Sequence, residues 1–229
     1  MKTIGLIGGM SWESTSEYYR IINTTIRNHL SGLHSAKCIL YSVDFHEVEK
    51  YQTRDDWDTI ARILSQVAIC LEKAGADFVL ICSNTIHKVA DEIQSYISVP
   101  ILHIADVTAD QIVQRSFTKV GLLGTRLTME QDFYRDRLIS KGIQVVVPEL
   151  DDRKIIDRII FDELCQGIVK PESKARYLEI VDRLRTKGAQ AVILGCTEIG
   201  LLITQSDTKI PLFDTSYIHA YEAALLALP

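Results

Sequence analysis

Two short polar motifs have the composition for chemistry. Ile81-Cys82-Ser83-Asn84-Thr85-Ile86-His87 and Gly195-Cys196-Thr197-Glu198 each end an apolar run and open a stretch with helical spacing. Small polar side chains at such a junction can hold an anion, together with the N–H groups of the helix start. Taken singly, N-capping by Ser83, Asn84 or Thr197 is the better reading. Taken as a matched pair, the motifs point to a ligand. A thiol at a helix N-terminus has a lowered pKa, which favours thiolate. Cys196 has that expected setting, whereas Cys38, Cys70 and Cys165 do not. Cys82 lies one residue earlier than the corresponding position and is expected to point the other way along its strand, into packing.

A third motif, Gly5-Leu6-Ile7-Gly8-Gly9-Met10-Ser11, is a glycine-rich turn after a strand. It lacks both the GxGxxG dinucleotide fingerprint and the GK[ST] of a P-loop. It reads as a turn where backbone nears a ligand, because open α/β sheets bind ligands at the C-terminal ends of their strands. The histidines carry less. His29 and His34 flank a loop, and His46 follows a strand end. His87 reads first as a packing residue, with orientation of the motif loop as the alternative. Asp55-Asp56 and Asp151-Asp152 read as solvated helix starts and are not spaced as metal ligands, so no metal site is expected.

The elements that position these motifs alternate strictly. Strands are expected near residues 3–7, 36–43, 77–82 and 100–103, with helices near 14–30, 57–73, 85–96 and 106–115. The order then restarts, with strands near 119–123, 145–147, 190–194 and 211–213. Helices are expected near 129–141, 152–166, 172–187, 197–202 and 216–228. Alternation of this kind means parallel sheets with helices on both faces. The restart is a repeat. Gly75-Ala76-Asp77-Phe78-Val79-Leu80-Ile81-Cys82-Ser83 lies over Gly188-Ala189-Gln190-Ala191-Val192-Ile193-Leu194-Gly195-Cys196 at an offset of 113 residues. Ile4–Gly8 resembles residues 120–124, and residues 99–101 resemble residues 210–212, in the same order. An ancient duplication follows, with halves at 1–105 and 106–229 and the last helix free to pack back on the first half. The active site is expected in the cleft between them.

Bulk properties agree. The 229 residues carry a net charge of −5, with 47% hydrophobic and 24% charged residues, which suits a globular protein with a substantial core. Neither nucleic acid nor an anionic membrane is an expected partner. Five cysteines at irregular spacing make neither a disulfide framework nor a zinc site. No signal peptide or membrane span is expected, and the location is expected to be cytoplasmic.

Together the motifs resemble the aspartate/glutamate racemase superfamily over essentially the whole chain. The carriers are Ile4 through Thr15, Ser83-Asn84-Thr85-Ile86-His87, Gly124-Thr125-Arg126-Leu127-Thr128-Met129 and Gly195-Cys196-Thr197-Glu198-Ile199. The resemblance implies two Rossmann-like halves related by a pseudo-twofold axis, each giving one cysteine to the site. It implies that Cys196 is the second of these thiols. Asn84, Thr85 and Thr197 would hold the substrate α-carboxylate and amino group, and Thr125 and Thr128 would line the site. Met10 and Gln52 would contact substrate, and Glu198 would join the binding residues. Cys-Thr-Glu is similar to the aspartate racemase branch, whereas the glutamate racemase branch usually has Cys-Thr-His. The first family cysteine is replaced here by Ser83, and the L-aspartate/glutamate-specific branch carries threonine there.

The implied activity is racemisation of L-aspartate or L-glutamate without a cofactor. Two groups flanking Cα would remove and return its proton. Cys196 would act as base and Ser83 would occupy the other face, favouring the L-to-D direction. Donors at the two helix starts would stabilise the carbanion. A homodimer is an open alternative to a monomer. Two other readings stand beside this one: a related isomerase or decarboxylase on the same scaffold, and a non-catalytic protein that binds acidic amino acids.

Overall fold

The computed structural model describes all residues, 1–229. The chain forms two compact units. Unit 1 comprises Met1–Ile104 and His219–Pro229, and unit 2 comprises Ala105–Ile218.

Unit 1 holds β1 (Thr3–Gly8), β2 (Lys37–Ser42) and β3 (Phe78–Ile81), in the order β2-β1-β3 and all parallel. Parallel neighbours need crossover helices. These are α1 (Trp12–Leu30), α2 (Phe45–Gln52) and α3 (Trp57–Lys73), followed after β3 by a 3₁₀ turn (Thr85–Val89) and α4 (Ala90–Gln94). The α3 sequence shows why it is helical. Trp57, Ile60, Ala61, Leu64, Val67, Ala68 and Leu71 recur at helical spacing and are buried. Asp56 caps its start by accepting from the Thr59 N–H at 3.1 Å.

Unit 2 holds α5 (Ile104–Gln114, from the last residue of unit 1), β4 (Lys119–Gly124), α6 (Arg126–Glu130), α7 (Asp132–Ser140) and β5 (Gln144–Val146). It continues with α8 (Leu150–Asp162), α9 (Pro171–Thr186), β6 (Ala191–Gly195), α10 (Ile199–Leu202) and β7 (Leu212–Asp214). Its sheet is parallel, in the order β5-β4-β6-β7. The final helix, α11 (Thr215–Ala227), contributes Ala220, Ala223, Ala224 and Ala227 to a core with Ile4, Leu6, Tyr18, Phe78 and Leu80.

The repeat extends to side chains that sequence reading passed over. Gln94 donates to the carbonyls of Ile97 (3.3 Å) and Val99 (3.0 Å) and accepts from the Ile101 N–H (2.7 Å). Gln205 donates to those of Thr208 (3.0 Å) and Ile210 (3.1 Å) and accepts from the Leu212 N–H (2.9 Å). Each glutamine stands six residues before a proline, Pro100 or Pro211, and each replaces missing ladder bonds where the chain re-enters its sheet.

Several expectations change. The helix expected at 85–96 is a 3₁₀ turn (Thr85–Val89) and the short α4, and that expected at 152–166 is α8 and a separate 3₁₀ turn (Leu164–Gln166). The strand expected at 100–103 is a single bridge between Val79 and Ile101, because the chain turns at once into α5. The helix α2 was not expected, since only Val48 of its eight residues is buried. Its signal is local: Asp44 caps it, with Glu47 three residues on. The helix expected at 129–141 is two, α6 and α7, which meet at an extended Gln131. Asp152 is no solvated helix start either. It is buried, and Arg183 grips it with two hydrogen bonds of 2.9 and 2.8 Å.

His219 is fully buried in unit 1. Its Nδ1 lies 2.9 Å from the Tyr18 hydroxyl and its Nε2 2.8 Å from the Leu102 carbonyl. The carbonyl can only accept, so Nε2 carries the proton and Tyr18 donates to Nδ1. Burial holds this imidazole down at about 4, against the raising effect of the Leu102 carbonyl. A depressed folded pKa gives stability that is complete above the unfolded value of 6.5 and is lost as pH falls toward 4. Urea unfolding from pH 7.5 to 4 should show a loss of up to about 3 kcal/mol from this group. His219→Gln should flatten that part of the profile.

Candidate active site

The strand orders place the motifs. In each unit the chain leaves its first strand toward one side and returns on the other, so a switch point lies between β1 and β3 and between β4 and β6. Ligands of open α/β sheets bind outside the carboxyl ends of strands at such points. The β1–β3 ends carry Met10 and Ser83-Asn84-Thr85. The β4–β6 ends carry Thr125, Thr128 and Cys196-Thr197-Glu198.

In unit 1, Met10, Ser83, Asn84 and Thr85 are all buried. The glycine turn is held by Thr15, whose hydroxyl accepts from the Gly9 N–H at 2.9 Å and donates to the Ser11 carbonyl at 2.7 Å. Gly9 has φ of +94°, and a Cβ there would run into the backbone of Val43. Asn84 is the N-cap residue of the following 3₁₀ turn, yet its side chain makes no capping bond, so the N-cap reading of this motif does not hold. His87 is buried and does orient the loop. Its Nε2 accepts from the Ile104 N–H at 3.2 Å, so Nδ1 carries the proton and donates to the Ser83 carbonyl at 2.6 Å. That carbonyl would otherwise take an α-helical bond from the His87 N–H, which bonds to Asn84 instead (3.1 Å), and the turn is therefore 3₁₀. Cys82 is buried in the core with Ile4, Leu6 and Phe78. Gln52 stands at the end of α2 and is half-buried. The Lys88–Asp55 ion pair, at 3.7 Å, ties its neighbourhood to the 3₁₀ turn.

In unit 2 side-chain hydrogen bonds link the motif residues. Thr125 caps α6 by accepting from the Thr128 N–H, and the two hydroxyls lie 3.1 Å apart. Gly195 sits in close packing beside them: a Cβ there would lie 2.6 Å from the Leu123 carbonyl oxygen and 2.8 Å from a Leu122 methyl, with the Thr128 methyl in ordinary contact at 3.5 Å. The next residue, Cys196, donates its S–H to Glu198 Oε2 at 2.9 Å. Thr197 donates to the same oxygen at 3.0 Å, and caps no helix. Glu198 is 1% exposed and Cys196 8%.

The thiol is not the low-pKa group expected from its position. Burial pushes it well above the usual cysteine value, and the Glu198 carboxylate raises it further, as does Cys165. The expected helix dipole is weak, since α10 has only four residues. In the resting protein Cys196 is a thiol beside a carboxylate.

The sequence reading missed Thr15, which supports the glycine turn. The repeat does not mark it: the adjoining strands repeat at an offset of 116 residues, which sets Gln131 opposite Thr15.

A buried thiol and hydroxyls at sheet switch points are the equipment of acid–base chemistry on a small substrate. The Asp/Glu/Hydantoin racemase family model matches residues 7–223, and the chain belongs to that family, whose members are cofactor-independent isomerases. It is 54% identical to a Yersinia pestis chain of known structure, described as a candidate Asp/Glu racemase, with both chains fully covered and a TM-score of 0.92. An aspartate racemase homologue from Pyrococcus horikoshii is 38% identical, with 99% of each chain covered and a TM-score of 0.86. The broad specificity amino-acid racemase RacX of Bacillus subtilis is 25% identical over 93% of this chain and 92% of its own. No helix is long and apolar enough to cross a membrane.

Gly195→Ala tests the packing around the thiol. It should cost about 1–3 kcal/mol in urea unfolding, with near-native far-UV circular dichroism. The same change at exposed Gly32, where a Cβ meets nothing but where φ is also positive, should cost less.

Proposed function

We propose that this protein interconverts the enantiomers of an acidic amino acid, aspartate or glutamate, by removing and returning the Cα proton. The observation that carries the reading is Cys196, a buried thiol at a switch point, beside Thr197 and at the end of β6 next to the Thr125–Thr128 pair that follows β4, in a member of a racemase family. Racemisation needs one group for each face of Cα. Cys196 is assigned one face and Ser83 the other. Asn84, Thr85, Thr125, Thr128 and Thr197 are assigned to the α-carboxylate and amino group, with Met10 and Gln52 as further contacts.

The two faces are chemically unequal. A thiol can ionise near neutrality when a partner takes its proton, but a serine hydroxyl cannot. Ser83 donates a hydrogen bond or passes a proton from water. Cys196 is therefore assigned to the L enantiomer, in keeping with the resemblance to the branch that has a hydroxyl residue at this position.

The test is α-proton exchange in heavy water, followed by proton NMR without added cofactor. Exchange should be at least tenfold faster from L- than from D-aspartate or glutamate. Cys196→Ala should remove it, and Ser83→Cys should raise exchange from the D form. Equal exchange from both enantiomers would assign the wrong base. Binding of L-aspartate without any exchange would make this an amino-acid-binding protein.

A further inference from the structure

We infer that Glu198 is a positioning residue for Cys196, holding the thiol and taking its proton, and does not contact the substrate. The inference rests on the racemase reading above and deepens it.

Three observations lead here. Glu198 Oε2 already accepts from two donors, the Cys196 S–H at 2.9 Å and the Thr197 hydroxyl at 3.0 Å. The carboxylate is almost wholly buried, at 1% exposure. And a carboxylate set against an acidic substrate would repel it, whereas one set against a thiol solves a specific problem. The problem is that the thiol must ionise in a place that opposes ionisation. Cys165 and Tyr177 are the other titratable groups near Cys196, and neither is a cation that could hold a thiolate.

Transfer within the pair avoids the cost. The resting pair carries one negative charge on Glu198. When the S–H bond breaks and an O–H bond forms on Oε2, the pair still carries one negative charge, now on sulfur. No new charge is buried, so the transfer escapes the desolvation penalty of ionising an isolated thiol. The thiolate then takes the Cα proton, the S–H bond re-forms, and the electron pair stays on Cα. A proton from the Ser83 side closes the opposite face and is replaced there from water. Glu198 returns its proton to water as product leaves, so thiol, carboxylate and solvent end as they began.

The arrangement makes an unusual prediction. The Glu198 charge suppresses the resting thiolate yet enables turnover, so removing it should move thiol reactivity and catalysis in opposite directions. The experiment compares unaltered protein, Glu198→Gln and Glu198→Asp. Alkylation of Cys196 by iodoacetamide is read by mass spectrometry of its peptide, without substrate, from pH 6 to 10. Exchange of the L-aspartate α-proton is read in parallel, as kcat and KM. Glu198→Gln should alkylate on the order of tenfold faster at pH 7.5, its profile shifted to lower pH. It should exchange on the order of a hundredfold more slowly, mainly in kcat. Glu198→Asp, which keeps the charge, should stay close to the unaltered protein in alkylation and recover part of the exchange.

Unchanged or slower alkylation in Glu198→Gln would overturn the inference, as would a rise in KM at constant kcat, the mark of a substrate contact. A misfolded Glu198→Gln would show itself in circular dichroism, and Glu198→Asp then carries the decision: reduced but measurable exchange at unchanged KM, with alkylation close to the unaltered protein, supports the pair, and a rise in KM at constant kcat, or accelerated alkylation with full activity, opposes it. Absence of exchange in the unaltered protein would overturn the racemase reading, while the alkylation profiles still decide for or against the pair.

Discussion

Parallel strands cannot be joined by hairpins, and both units are built on that constraint. Each strand must be followed by a crossover, so all carboxyl ends in a sheet fall on one edge. In unit 1 that edge gathers the turns after β1 and β3, and in unit 2 those after β4 and β6. The central strands β1, β3, β4 and β6 are apolar and almost wholly buried, so side chains available for chemistry stand just beyond their ends. The glycines there reflect crowding. Gly9 and Gly195 sit where a Cβ would meet backbone.

Burial also governs the electrostatics. Cys82 and Cys196 are both pushed above the usual thiol range, chiefly by desolvation. What separates them is the company they keep. Cys82 sits in an apolar core with Ile4, Leu6 and Leu80, while Cys196 faces a carboxylate that accepts its proton in a hydrogen bond. A buried thiol with no acceptor is packing, and one with an acceptor has somewhere to send its proton.

Unit 1 shows the same principle with imidazoles. His87, His103 and His219 are buried close together, with ring centroids 4.4 Å apart for His87–His103 and 5.8 Å for His87–His219. The hydrogen bonds of His87 and His219 fit neutral rings, each donating to a carbonyl. They secure the chain around residues 83, 102 and 104, next to the Ser83 turn. A polar group in such a core adds order when each of its bonds is made, and costs most when one is broken.

Periodicity and the repeat made the α/β class and the two parallel sheets legible, because buried parallel strands write themselves as apolar runs and crossover helices as amphipathic ones. The motif residues were legible for the same reason: a polar cluster that ends an apolar run must sit at a strand's carboxyl end. Helix α2 was not, since one buried residue in eight leaves no stripe to detect. Nor was the single bridge at Ile101, where one glutamine side chain substitutes for a ladder. The state of Cys196 lay furthest from the sequence. Its place before a short helix suggested a thiolate, but a pKa depends on solvent exposure and on atoms within a few ångströms. Only the folded chain buries the thiol, shortens the helix behind it to four residues and turns Glu198 back onto the sulfur.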